Sequence, residues 1–268
     1  MLDVMLICLA FGCFSGILAG FFGLGGGLVL VPFFALLFEQ QGIANELIML
    51  MAVATSLATI IITSIATVFA HQRLGAVIWP YVWQLSGGIV FGVVAGAYAA
   101  DYLLSVNLRF IFALYMLYVA VQMAMQLRPK VAVQKKSLAR LTLNIAGLAI
   151  GFISAVLGIG GGTLTVPLLA KYQVPMRNAV AVSSACGLPI ALAGSISYAL
   201  LGWQKVGLPE GSFGYVYLPA FSGVVLSSML IAPIGAKWAN SLPTQKLKQY
   251  FSILLFIVAG KLLWPFIN

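Results

Sequence analysis

The sequence predicts an all-α integral membrane protein made of two homologous inverted repeats. Each repeat is a glycine-broken, re-entrant helical hairpin followed by three transmembrane helices. Three observations carry this reading. The 268 residues are 62% hydrophobic and 7% charged, with a mean hydropathy of +1.10, far more apolar than a soluble domain needs. Gly23-Leu24-Gly25-Gly26-Gly27 with Pro32 recurs as Gly158-Ile159-Gly160-Gly161-Gly162 with Pro167, at one constant offset, which marks an internal duplication. The 14 Lys and Arg residues divide far more unequally between the two sides of the membrane if the copies are inverted than if they are parallel.

The elements follow in order. Leu2 to Phe22 is an apolar helix that runs into the first glycine break. Leu28 to Phe38 then supplies only about 16 Å of helix at ~1.5 Å per residue before Glu39, roughly half of a hydrocarbon core of ~30 Å. Leu47 to Ala70, Val77 to Ala100 and Leu108 to Leu127 can each span. Residues 1–127 form the first repeat, and a basic linker, 128–140, follows with Arg128, Lys130, Lys135, Lys136 and Arg140. The second repeat, 141–268, copies the order: Leu141 to Leu157, a break, the short Thr163 to Ala170, then Pro175 to Leu201, Tyr215 to Ala236 and Leu247 to Ile267. Beyond the breaks, Ser64 to His71 lies over Ala191 to Tyr198, and Gly75 over Gly202.

Charge sets the orientation. With re-entrant hairpins and a cytoplasmic linker, Arg73, the five linker cations, Lys171, Arg177, Lys237, Lys246 and Lys248 lie inside, and Arg109, Lys205 and Lys261 outside. Parallel copies would split the same cations eight to six, so the positive-inside rule favours inversion, with both termini outside. If both arms of each hairpin crossed, the crossings per copy would stay odd and the inversion would hold. Met1-Leu2-Asp3 lacks the basic start of a signal peptide, so the first segment is expected to be retained.

Irregular backbone at membrane depth needs burial in protein or a wet cavity, and transporters with inverted repeats bring such breaks together near the midplane. Each short helix starts at its break, where free N–H groups and the positive dipole end favour an anion. Glycine lets those groups approach a ligand. Gly23, Gly25, Gly26, Gly27, Gly158, Gly160, Gly161 and Gly162 are therefore candidate substrate-binding positions, and Pro32 and Pro167 shape the breaks. The alternative is that the glycines only permit close helix packing; two aligned copies outweigh it. Thr55, Ser56, Thr163, Ser183 and Ser184 could donate to an oxyanion without a buried charge. Thr165 also flanks the second break. Equally, such hydroxyls can bond back to their own helix.

Asp3, Glu39, Glu46, Asp101 and Glu210, the five acids, all lie in or beside connections. A carrier coupled to sodium or protons usually keeps a carboxylate within its spans. The one histidine, His71, ends a span beside Gln72 and Arg73 where the second copy has Tyr198; it reads as an interfacial residue and is the one possible proton-linked group. An anion leaving a cell that is negative inside gains about 2.3 kcal/mol per charge per 100 mV, so an exporter needs no coupling carboxylate. No nucleophile–base pair, metal cluster or carboxylate pair can be assembled for an enzyme, and neither metal nor cofactor is expected. The scattered cations fit membrane orientation better than nucleic acid. Cys8, Cys13 and Cys186 read as small buried hydrophobes. Trp79, Trp83, Trp203, Trp238 and Trp264 mark membrane interfaces, and some could form a face of a homo-oligomer.

The duplicated glycine motifs with their prolines, Ala54-Thr55-Ser56, His71 followed by Gly75, and Gly187-Leu188-Pro189 through Gly194 resemble the TauE/SafE family of sulfite exporters. The resemblance covers the whole chain and implies a multi-pass permease of the bacterial inner membrane. Its implied substrate is sulfite or an organosulfonate, most often moved outward, with the lipid bilayer as surroundings. An anion channel that uses the breaks as a filter and a non-transporting membrane assembly protein remain the alternatives. The second copy reads Ala181-Val182-Ser183-Ser184 where the first reads Ala54-Thr55-Ser56, so the site is expected to be asymmetric.

Overall fold

A computed structural model describes residues 2–22, 26–103, 105–124, 140–238 and 244–266. Gly23 and Gly25 of the first break and residues 128–139 of the linker lie outside the described residues. The chain is almost wholly helical: α1 (Leu2–Phe22), α2 (Gly27–Gln40), α3 (Asn45–Arg73), α4 (Trp79–Tyr102), α5 (Ser105–Ala124), α6 (Arg140–Leu157), α7 (Gly162–Lys171), α8 (Met176–Leu201), α9 (Leu218–Trp238) and α10 (Thr244–Leu263). Where described, these helices start and stop within a few residues of the apolar segments. Five of them are long and apolar enough to cross a membrane, among them α3, α4 and α8. The chain is an integral membrane protein.

One expected helix start is displaced. Tyr215 to Tyr217 are not helical; Ser212–Phe213 (β1) pairs antiparallel with Val216–Tyr217 (β2), in the register Ser212 to Tyr217. Gly211 and Gly214 have φ of 84° and 57°, a left-handed conformation that turns the chain where a helix would continue. The hairpin folds inward. Tyr215, 0% exposed, donates its hydroxyl to Asp101 at 2.6 Å, and Lys205 lies 3.8 Å from the same carboxylate. Burial pushes the Tyr215 phenol above its ordinary value, as does its bond to Asp101, so the phenol keeps its proton at physiological pH.

Glycine determines how the helices pack. α1 runs along α9, and α6 runs along α4. A Cβ on Gly12 would come within 2.6 Å of the Val224 carbonyl, and Gly147 meets the Leu85 carbonyl in the same way. Gly16 faces Ser228 as Gly151 faces Ile89, and Gly235 faces Ile17 as Gly96 faces Phe152. Each pair maps onto its partner pair at an offset of 135 residues between α1 and α6 and 139 between α4 and α9. The same backbone-to-backbone crossing is therefore made twice, by the small-residue packing that suits helices in lipid. Both crossings are parallel, since contacts advance together along the two helices.

α3 and α8 form the buried centre, with α2 on α3, α7 on α8, and α5 against α10. They run antiparallel. Arg177 and Asn178 at the start of α8 donate to the carbonyls of Leu74 and Ala76 just past the end of α3, at 2.6 and 2.9 Å. Further along, Gly187 faces Ser64 and Gly194 faces Leu57.

Candidate functional site

The site begins with two glycines in the left-handed region. Gly26, φ 79°, caps α2, and Gly161, φ 74°, caps α7. A side chain there costs roughly 1–2 kcal/mol in backbone strain. Each carbonyl accepts two N–H groups of the following turn: Gly26 from Val29 and Leu30 at 3.0 Å each, Gly161 from Leu164 at 3.1 Å and Thr165 at 2.8 Å. Neither helix has a side-chain cap. Among the described residues the N–H groups of Gly161, Gly162 and Thr163 make no backbone hydrogen bond, so α7 starts with free donors inside the protein.

Pro32 and Pro167 stand within the helices they follow rather than at their first residue. Each is the sixth helical residue. Lacking an N–H, they leave the carbonyls four residues back, Leu28 and Thr163, without a helical donor.

The two breaks touch. A Cβ on Gly27 would overlap the Gly158 carbonyl and lie 2.8 Å from Cα of Ile159 and 3.2 Å from the Ile60 side chain, halfway along α3. Gly158, φ 67°, packs on Val31 and Val53. On the α8 side, Gly187 lies 3.5 Å from the Gly160 carbonyl, measured from its Cβ position. Gly26, Gly27, Gly158, Gly160, Gly161 and Gly162 are all buried.

The hydroxyls fall into two groups. Ser56 donates to the Gly158 carbonyl at 2.8 Å, a bond that ties α3 to the second break. Thr55 accepts the Tyr217 N–H at 3.0 Å, Thr163 is bonded to Tyr115, and Ser183 is partnered. Among the described residues five hydroxyl oxygens are buried without a hydrogen-bond partner. Ser195 and Ser212 lie away from the breaks, in the apolar cleft and the hairpin, and Ser154, Thr165 and Ser184 lie on the elements around the second break. Ser154 lies outside the set that the sequence points to, because a serine near the end of an apolar helix carries no local signal. Its Oγ lies 3.5 Å from the Cβ position of Gly161. Ser184 sits one helical turn before Gly187, on the α8 face that meets the break.

Ser56→Ala leaves the Gly158 carbonyl without its donor. The expected cost is about 1–3 kcal/mol for the buried orphan, read as a lower unfolding temperature in detergent.

No Lys, Arg, Asp or Glu occurs in residues 47–70, 141–170 or 178–204, the stretches that surround the breaks. The field there comes from helix ends and hydroxyls. His71, expected at the interface, is 1% exposed, and neither ring nitrogen has a hydrogen-bond partner. It faces the Gly20 carbonyl and has Arg177 within electrostatic reach. In the second copy Tyr198 occupies the matching place and donates to the Ala155 carbonyl at 3.0 Å. Gly20 and Ala155 correspond at the offset of the two breaks.

Two clefts open away from the centre, and none of the described break residues lines either. One, about 390 Å³, is lined by Glu39, Arg109, Lys261 and Trp264, with Arg109 and Glu39 paired at 3.5 Å. The other, about 400 Å³, is apolar and lies between α3, α8 and the hairpin. Among the described residues no group of three His, Cys, Asp or Glu side chains comes together as a metal site.

Comparison with known proteins places these features in a wider group. Residues 8–262 match the model of the family described as sulfite exporter TauE/SafE. A probable membrane transporter protein of Haemophilus influenzae is 36% identical over 260 residues, covering 97% of this chain and 98% of its own. One from Methanocaldococcus jannaschii is 29% identical, covering 83% of this chain and 79% of its own. A third, from Bacillus subtilis, is 27% identical and covers 92% and 95%. No solved structure matches the chain.

Proposed function

The chain belongs to the sulfite exporter TauE/SafE family, and on that premise we propose that it carries a small sulfur oxyanion, sulfite or an organosulfonate, out of the cell by alternating access. The observation that carries this reading is the meeting of two glycine breaks halfway along α3, where α7 opens with free N–H groups. Such a helix start in a low-dielectric interior attracts an anion. Family and relatives are membrane transporters rather than enzymes.

Inverted repeats, with residues 1–127 and 141–268 as the two copies, account for the packing. A two-fold axis in the membrane plane makes the equivalent helices α3 and α8 antiparallel and exchanges the α1–α9 crossing with the α4–α6 crossing. On this reading each hairpin is re-entrant, the linker 128–140 is cytoplasmic, and the membrane is the bacterial inner membrane. Burial of the break glycines supports a carrier over an open channel, because an anion reaches them only when helices move. Export is favoured by the membrane potential alone, and no carboxylate lies in the stretches around the breaks to couple uptake.

The test is sulfite efflux from proteoliposomes that hold the purified protein, with a potential imposed in either direction. Saturable flux that speeds up when the compartment losing sulfite is negative supports uncoupled export by a carrier. Flux that rises linearly with concentration points to a channel. Wild-type protein that moves neither sulfite nor a simple sulfonate under any gradient removes the substrate assignment.

A further inference from the structure

We propose that the anion is bound on the second copy alone, by the hydroxyls of Ser154, Thr165 and Ser184 and the free N–H groups that open α7, and that this cation-free site accepts singly charged oxyanions. The proposal rests on the breaks being the transport site, and it specifies which half binds and which charge state is carried.

The three hydroxyls are 0%, 0% and 3% exposed and have no partner. A buried hydroxyl without a partner is unfavourable unless something enters to bond it. Ser154 lies 3.5 Å from the Cβ position of Gly161, Thr165 stands one turn into α7, and Ser184 stands one turn before Gly187, which faces the Gly160 carbonyl. Their counterparts in the first copy are Ala19, Leu30 and Leu57, which are buried and apolar. Most of the first copy's buried hydroxyls give their protons away: Ser15, Ser56, Thr59, Thr63 and Thr67 all donate to carbonyls, and Ser64, which faces Gly187 on α8, is an exception. Thr55 differs only in that its hydroxyl accepts, from the Tyr217 N–H. The duplication therefore supplies two helix starts, but among the described residues the fully enclosed hydroxyls without a partner all lie on the second copy. The first break presses Gly27 onto Gly158 and closes the site from the other side.

The charge state follows from what is missing around the donors. No Lys or Arg lies in the surrounding stretches, so the ligand's charge is met only by neutral dipoles. The cost of burying an ion grows with the square of its charge, so a dianion costs about four times as much as a monoanion. Hydrogensulfite and alkanesulfonates meet this condition. The sulfite dianion and sulfate do not.

The experiment compares sulfite with methanesulfonate in proteoliposomes between about pH 6 and 8, the range in which sulfite gains its second charge and a histidine would titrate. At fixed total sulfite the flux is expected to fall about tenfold across this range, following the protonated fraction, while methanesulfonate flux stays constant. Sulfite flux that holds or rises with pH overturns the charge selection. So does a parallel fall for both anions, which would place the titrating group on the protein. Ser154→Ala, Thr165→Val and Ser184→Ala are each expected to raise the KM for methanesulfonate about tenfold, the usual size for a hydrogen bond to a charged group. Thr67→Val, whose hydroxyl is engaged within α3, should leave KM unchanged. If the three variants fold and shift KM no more than Thr67→Val does, the second-copy assignment is overturned. A wild type that moves neither anion overturns the transport reading itself.

Discussion

Gly161→Val is expected to abolish efflux while the protein still folds. Gly161 has φ 74°, where a β-branched residue is a conformational outlier, and its new Cβ would sit 2.6 Å from Cδ1 of Ile190. The backbone strain of roughly 1–2 kcal/mol is small against the stability of a bundle this size, and Ile190 can shift. The N–H groups of α7 cannot shift without losing their aim, and a misplacement of about 1 Å is enough to remove a binding contribution worth tenfold or more. Gly26→Val carries the same strain, φ 79°, against a less crowded wall, the Ser15 carbonyl at 3.3 Å. It should reduce flux less than Gly161→Val does. The measurement is potential-driven sulfite efflux beside the unfolding temperature of each variant. Full flux through folded Gly161→Val would return the glycines to a packing role.

Gly92→Val should fail at an earlier stage. A side chain there would overlap the Leu148 carbonyl oxygen, with its carbonyl carbon at 2.8 Å and the Phe152 nitrogen at 2.9 Å. All three are backbone atoms of α6, so no rotamer change relieves the clash and the α4–α6 crossing must open. The expected cost is about 4 kcal/mol or more, in the range reserved for severe overpacking. The outcome is loss of monodisperse protein in detergent. Gly260→Ala is the internal comparison: nothing lies within 4 Å of its Cβ position, and exchanging a helical glycine for alanine should add up to about 1 kcal/mol.

The glycines at these crossings carry a signal in the chain itself. Gly12 and Gly16 recur as Gly147 and Gly151 at the same offset as the breaks, so the repeat in spacing is legible from residue order alone. The helix that each pair packs on is not, because α1 meets α9 some two hundred residues away. The prolines give a local signal that is displaced by a few residues: they lie inside α2 and α7 and free a carbonyl there. The hairpin at 212–217 has its own markers in Gly211 and Gly214, but an apolar run of Tyr and Val beside a helix reads as more helix when only hydropathy is followed.

Near neighbours and total composition are enough for two features of this protein. Hydropathy determines that the chain lies in a membrane, and the repeated glycine triplets mark where two helices stop and restart. Packing decides the rest: that the breaks touch, that His71 is buried beside Gly20, and that Ser56 is engaged by Gly158 while Ser154, Thr165 and Ser184 have no partner. A hydroxyl looks the same in the sequence whether or not its proton is taken. Its partner is found across about a hundred residues, as in Ser56 and Gly158, and only the packed helices bring the two within reach.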